Sequence, residues 1–168
     1  MRARREGGFT YFGVLFLVAL MGIAASAVGT MWQTASRQAK ERELLAIGAE
    51  FRTAIERYVR ATPSGPPRYP RTLEDLVRDP RVPGMARHLR RIYADPVTGR
   101  AEWGLGRAPD GGIMGVHSLS ESRPLKRAGF RPVEARFEAA ERYSEWTFVY
   151  RDRSLAIRSA NAPKNSKK

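Results

Sequence analysis

The chain has 168 residues, no cysteine, and a formal net charge of +13 from 30 Lys and Arg against 17 Asp and Glu. Without cysteine there is no thiol nucleophile, no thiolate metal site and no disulfide staple. The length suits one membrane span and one small domain with a modest core. The charge favours polyanions: lipid headgroups, an acidic partner subunit or nucleic acid. A general preference for arginine with no dedicated partner accounts for it equally well.

No charged residue stands between Glu6 and Arg37, and Phe9 to Trp32 is almost entirely apolar or small. About 20 such residues cross a hydrocarbon core of roughly 30 Å, and lipid forces them into a helix. Arg2, Arg4, Arg5 and Glu6 give the start a net +2. The positive-inside rule then puts the N-terminus in the cytoplasm. Hydropathy alone leaves two readings open: a single-span anchor, or a signal peptide cut after Ala25 or Ala27.

The residues ahead of the span carry a more specific pattern. Basic residues are followed by Gly7-Gly8, then Phe9-Thr10, then the apolar run with no polar gap. This resembles the class III signal of type IV pilins and type II secretion pseudopilins. The resemblance implies that a prepilin peptidase cuts between Gly8 and Phe9 and methylates the new amino terminus at Phe9. Residues 1–8 would be the leader. Residues 9–36 would be kept as membrane anchor and assembly helix. The fifth mature position, where the family usually has glutamate, is Gly13 here. A carboxylate in lipid is expensive and is kept for a purpose. Its absence suits a minor or tip subunit or a divergent paralogue. Losing the leader would change the charge from +13 to +11, because it holds three Arg and one Glu.

Residues 37–61 continue the helix as an amphipathic segment. Leu44, Ile47, Phe51, Ile55 and Tyr58 recur at helical spacing, so they form one apolar face. Arg37, Lys40, Glu41, Arg42, Glu50, Arg52 and Glu56 are assigned to the other faces, with Glu56 and Arg60 in the favourable i, i+4 order. The helix should stop near Ala61, before Thr62-Pro63-Ser64-Gly65-Pro66-Pro67. A helix over 9–60 is about 78 Å long at 1.5 Å per residue.

Residues 62–160 read as a periplasmic head. Thr72 is placed as the cap of a short helix carrying Leu73, Leu76 and Val77, with Asp75 completing an imperfect capping box. A basic irregular stretch follows, from Arg78 to Arg91, and then a turn at Asp95-Pro96-Val97-Thr98-Gly99. The Tyr69-Pro70 step, the leucine-bearing helix and the Asp-Pro turn resemble the head of the major pseudopilins of type II secretion. With the leader, that resemblance covers residues 7 to about 119.

Strands are predicted at 100–108 and 113–119, joined by a Pro109-Asp110-Gly111-Gly112 turn. A third is predicted at 145–151, and Leu155-Ala156-Ile157 either prolongs it or adds a fourth. Val133, Phe137 and Ala140 suggest a short helix over 132–143. Residues 161–168 read as a disordered basic tail. The fold class is α+β, pilin-like, with a long N-terminal helix packed on a small antiparallel sheet of three to four strands.

The resemblance also implies a calcium loop near the last strands, but no cluster of oxygen ligands stands there, so no cofactor is expected. His88 sits in the basic stretch, where a solvated or anion-facing role is expected. His117 falls on a predicted strand and reads as structural. With no nucleophile elbow and no phosphate loop, no enzymatic activity is expected.

Three functions stay open. One is a structural subunit of a type II secretion or type IV pilus-related fibre. It would meet prepilin peptidase, other pilin-like subunits and an inner-membrane platform, and would lie across the bacterial inner membrane with its head in the periplasm. Another is a pilin-like DNA-binding subunit for adhesion or uptake, with phosphate contacts from Arg87, Arg90, Arg91, Lys126 and Arg127. The last is a plain membrane-anchored periplasmic domain.

Overall fold

The computed structural model describes the backbone of residues 7–63, 67–84 and 86–152; within the first helix the side chains of 7–10 and 23–31 fall outside the described set. Most of the leader, the strand expected at 155–157 and the tail at 161–168 lie outside the described residues. The chain divides into two compact units, residues 1–39 and 40–168.

Helix α1 runs Gly7–Arg60 as one 54-residue element, as the uninterrupted apolar and amphipathic patterns require. Its last turn closes with Ala61 N–H donating to Arg57 O at 2.9 Å and the Thr62 hydroxyl donating to Val59 O at 2.8 Å. Pro63 then prevents continuation. Arg57 and Arg60 stand in the last turn, where cations oppose the helix dipole. Glu56 and Arg60 pair at 2.7 Å.

In the second unit all five residues of the expected stripe are buried, and Ala54 and Val59 join them. Phe51 meets Trp103 edge-on, with centroids 5.1 Å apart. Gly48 lies directly under the Phe148 ring, which leaves no room for a Cβ. One assignment changes. Glu41 is buried, not on a polar face. It stands three residues before Leu44, so helical spacing puts it on the apolar stripe.

Helix α2, Glu74–Val77, is a single turn that buries Leu76. Leu73 precedes it with no side-chain cap, so the Thr72 hydroxyl is not the cap expected. The carboxylate of Asp75 instead accepts the N–H groups of Arg71 (2.8 Å) and Thr72 (3.1 Å). Only the backward-reaching half of the capping box forms.

The sheet is antiparallel, in the order β1 (Gly104–Arg107), β2 (Ile113–His117), β3 (Phe148–Val149). Leu105 faces Val116, and Val116 faces Phe148. The turn between β1 and β2 uses Gly111 at φ 81°, and Asp110 accepts the Gly112 N–H at 3.0 Å. The second turn places Gly99 at φ 74°.

All three strands are shorter than expected. Trp103 stands just before β1, buried, with its Nε1–H donating to Tyr93 O at 2.8 Å. Residues 143–145 form a 3-10 turn before β3. The segment expected as a helix at 132–143 is a 3-10 helix, Pro132–Ala139. Glu134, Phe137 and Ala140 are buried and three residues apart, which is the period of a 3-10 helix; Val133, taken as apolar-facing, is exposed. Phe137 stacks on Trp146 with centroids 5.5 Å apart. The described architecture is thus mixed α+β: helix plus a small three-stranded antiparallel sheet.

Candidate functional site

The first candidate lies within the first unit. From Tyr11 to Met21 the large apolar side chains are 47 % to 72 % exposed. Successive helical residues step by about 100°, so this run is apolar around the whole circumference. A stripe seeks one neighbouring surface, whereas an apolar cylinder needs apolar surroundings on every side. Gly13 and Gly22 face open space. Gly8 and Phe9 belong to the α1 backbone, but their side chains are outside the described set. Among the described residues, no helix is long and apolar enough to cross a membrane. The span expected at 9–36 includes 9–10 and 23–31, whose side chains lie outside that set.

The second candidate is a polar junction beneath the C-terminal end of α1. Asp79 is 2 % exposed. Its Oδ1 accepts the Arg81 backbone N–H and Nε–H, each at 2.9 Å, and its Oδ2 accepts Arg81 Nη2–H at 2.7 Å. Arg81 then reaches α1, donating to Tyr58 O at 2.7 Å and to the Thr62 hydroxyl at 3.1 Å, with its guanidinium 3.5 Å from the Tyr58 ring centre. The hydrogen bonds from Arg81 hold the Asp79 carboxyl well below the usual carboxylate range. His88 is half-buried, with Nε2 3.0 Å from Asp79 Oδ2 and its ring edge-on to Tyr58. The solvated, anion-facing role expected for His88 is therefore corrected: it pins its turn to the core. His117 lies on β2, its Nδ1 2.9 Å from Ser118 O.

Three other buried carboxylates tie segments together. Glu41 accepts from Leu125 N–H, Lys126 N–H (3.1 Å) and the Tyr143 hydroxyl (3.0 Å). Glu134 meets Arg131 and, at 3.4 Å, Arg52. Asp95 accepts the Ser118 hydroxyl at 2.6 Å and Val97 N–H at 2.9 Å. Among the described residues, no group of three or more His, Asp or Glu is placed to hold a metal ion.

The chain matches no protein-family model, no curated protein and no solved structure.

The five cations assigned to anion contact fall on two segments. Arg87, Arg90 and Arg91 are exposed on the turn that follows Ala86. Backbone N–H groups of His88 and Leu89 both donate to Leu76 O, at 2.9 and 2.8 Å, and Asp79 N–H donates to Ala86 O at 3.0 Å. Lys126 and Arg127 lie on the segment pinned by Glu41. The Lys126 ammonium sits 4.9 Å from the Phe130 ring centre, on its own segment.

The buried carboxylates are what sequence reasoning missed. Glu41 was detectable from its spacing to Leu44. Asp79 and Arg81, two residues apart around Pro80, carried no periodic signal that marks a buried pair.

Proposed function

We propose that this chain is a structural pseudopilin-like subunit of a type II secretion or type IV pilus-related fibre, not an enzyme. The observation that carries this reading is α1 itself. One helix bears an apolar cylinder in its first part and, in its last part, the buried face of a small α+β unit. A subunit held in lipid and later packed among neighbouring helices needs apolar side chains on every side of its first part. It also needs a folded unit that gathers on the second part. The Gly7-Gly8-Phe9 signal supplies the route: cleavage by prepilin peptidase after Gly8, methylation of Phe9 and retention of the helix. The membrane is the bacterial inner membrane, with the folded unit in the periplasm.

Gly13 sharpens the proposal. The resemblance implies that the glutamate usual at this position pairs with the amino terminus of a neighbouring subunit, so a chain with Gly13 can offer its own amino terminus but cannot accept a neighbour's in return. That asymmetry fits the end of a fibre or a minor subunit better than the repeating body.

The test is the intact mass and N-terminal sequence of protein extracted from its native membrane with the peptidase present. A chain starting at Phe9 with one added methyl group supports the proposal. A start at Met1 makes the protein a plain anchored domain, and a start after Ala25 or Ala27 makes the span a removable signal. Replacing Gly8 by a larger residue should abolish leader removal while membrane insertion persists.

A further inference from the structure

The stretch from Pro80 to Ala94 contains no Asp or Glu but holds Arg81, Arg87, Arg90 and Arg91. In sequence it is flanked by Asp79 and Asp95, two acids adjacent to that charge. The fold removes both from the surface. Asp79 is 2 % exposed and committed to Arg81 and His88; Asp95 is fully buried and committed to Ser118 and Val97 N–H. Arg81 is paired with Asp79, and Arg87, Arg90 and Arg91 are exposed on the turn.

The turn is also rigidly held. It hangs on Leu76 O through two backbone hydrogen bonds, on Ala86 O through Asp79 N–H, and on the His88 ring through Asp79 Oδ2. Buried Leu89 anchors it between Arg87 and Arg90. The Arg91 guanidinium lies 5.2 Å from the Tyr93 ring centre, and the Tyr93 hydroxyl donates to the exposed Glu50 carboxylate on α1, which raises the tyrosine pKa.

We propose that this fixed turn, with Arg90 and Arg91 as its principal contacts and Arg87 beside them, is a binding surface for the phosphate backbone of duplex nucleic acid. Arginine forks match phosphate oxygens, and a turn already ordered loses little entropy on binding. Phosphate contact without a helix or strand aimed into a groove gives binding without sequence preference. A lipid surface fits less well. Interfacial lipid binding couples basic residues to outward apolar ones, whereas Leu89 is buried and Ile92 packs on the core. This inference is independent of the fibre reading, because it concerns the second unit alone.

The experiment uses the full chain in neutral phosphatidylcholine nanodiscs and a labelled DNA duplex of mixed sequence, titrated at several salt concentrations. Arg90→Ala with Arg91→Ala should weaken binding by about tenfold per lost phosphate contact at ~0.1 M salt and lower the salt slope by about 2. Lys126→Ala with Arg127→Ala should leave affinity within about twofold and the slope unchanged. Near-UV circular dichroism confirms that both variants remain folded. Equal losses in the two double variants would overturn the site in favour of diffuse charge. So would absence of binding at ~0.1 M salt. Displacement of the duplex by phosphatidylglycerol vesicles at lower phosphate concentration than by unlabelled duplex would replace nucleic acid with lipid.

Discussion

The two parts of α1 are both apolar, but in different ways. Between Tyr11 and Met21 the large side chains are 47 % to 72 % exposed, on every side. Between Leu44 and Val59 the apolar residues form one stripe, and Leu44, Phe51 and Ile55 are fully buried. Hydrophobic content is thus a poor guide to where a helix finds its partner. Distribution around the axis is the informative quantity: a stripe is satisfied by its own domain, and a cylinder is not.

The comparison can be broken by truncating the same side chain in each part. Phe51→Ala should cost the second unit about 3–5 kcal/mol, because it leaves a cavity against Trp103 and Tyr93. Phe16→Ala should leave that unit within about 0.5 kcal/mol of the parent. Denaturant unfolding of the detergent-solubilised chain checks both. Similar losses in the two variants would mean that the cylinder also stabilises the fold.

Asp79 tests what ends the striped part. Asp79→Asn should cost about 3–5 kcal/mol by leaving Arg81 without its counter-charge under Tyr58. The folded Asp79 pKa is depressed, so its stabilisation is present in full above the ordinary carboxylate range. It is lost as pH falls through that range toward the depressed folded value. Thermal melts of the parent should therefore fall in acid more steeply than melts of Asp79→Asn. Parallel pH profiles would remove Asp79 from the account of acid stability.

Glycines give the finer contrast. A Cβ at Gly48 collides with the Phe148 ring, so Gly48→Ala should cost about 1–3 kcal/mol by overpacking. A Cβ at Gly13 meets nothing within 4 Å. Gly13→Ala should therefore stabilise the exposed helix, by up to about 1 kcal/mol of propensity. Hydrogen exchange across residues 11–22 should slow in that variant, and the thermal midpoint of the second unit should not move.

The carboxylates show where sequence reading ran out. Asp75 was legible, because its partners are three and four residues away and local geometry decides them. Glu41 was assigned to a polar face although its spacing to Leu44 fits the buried stripe, and its partner Tyr143 is 102 positions away. Glu134 joins Arg52 across 82 positions, and no periodic pattern reports a pairing of that range. His88 was misread for the same reason, since the basic composition of its loop is local and the burial of Asp79 is not.

The sequence by itself determined that 9–60 is one helix and where it stops, the buried stripe at 44–58, the two glycine turns and the hairpin. Each follows from dihedral preference or from hydrophobic period, which act over a few residues. The tertiary structure alone decided which charges face water. Burying Glu41, Asp79, Asp95 and Glu134 requires donors brought from distant segments, because a carboxylate leaves solvent only when its hydrogen bonds are met. The basic turn at 86–91 shows the result: Asp79 and Asp95, its two neighbours in sequence, were drawn into the core, and Arg87, Arg90 and Arg91 are exposed.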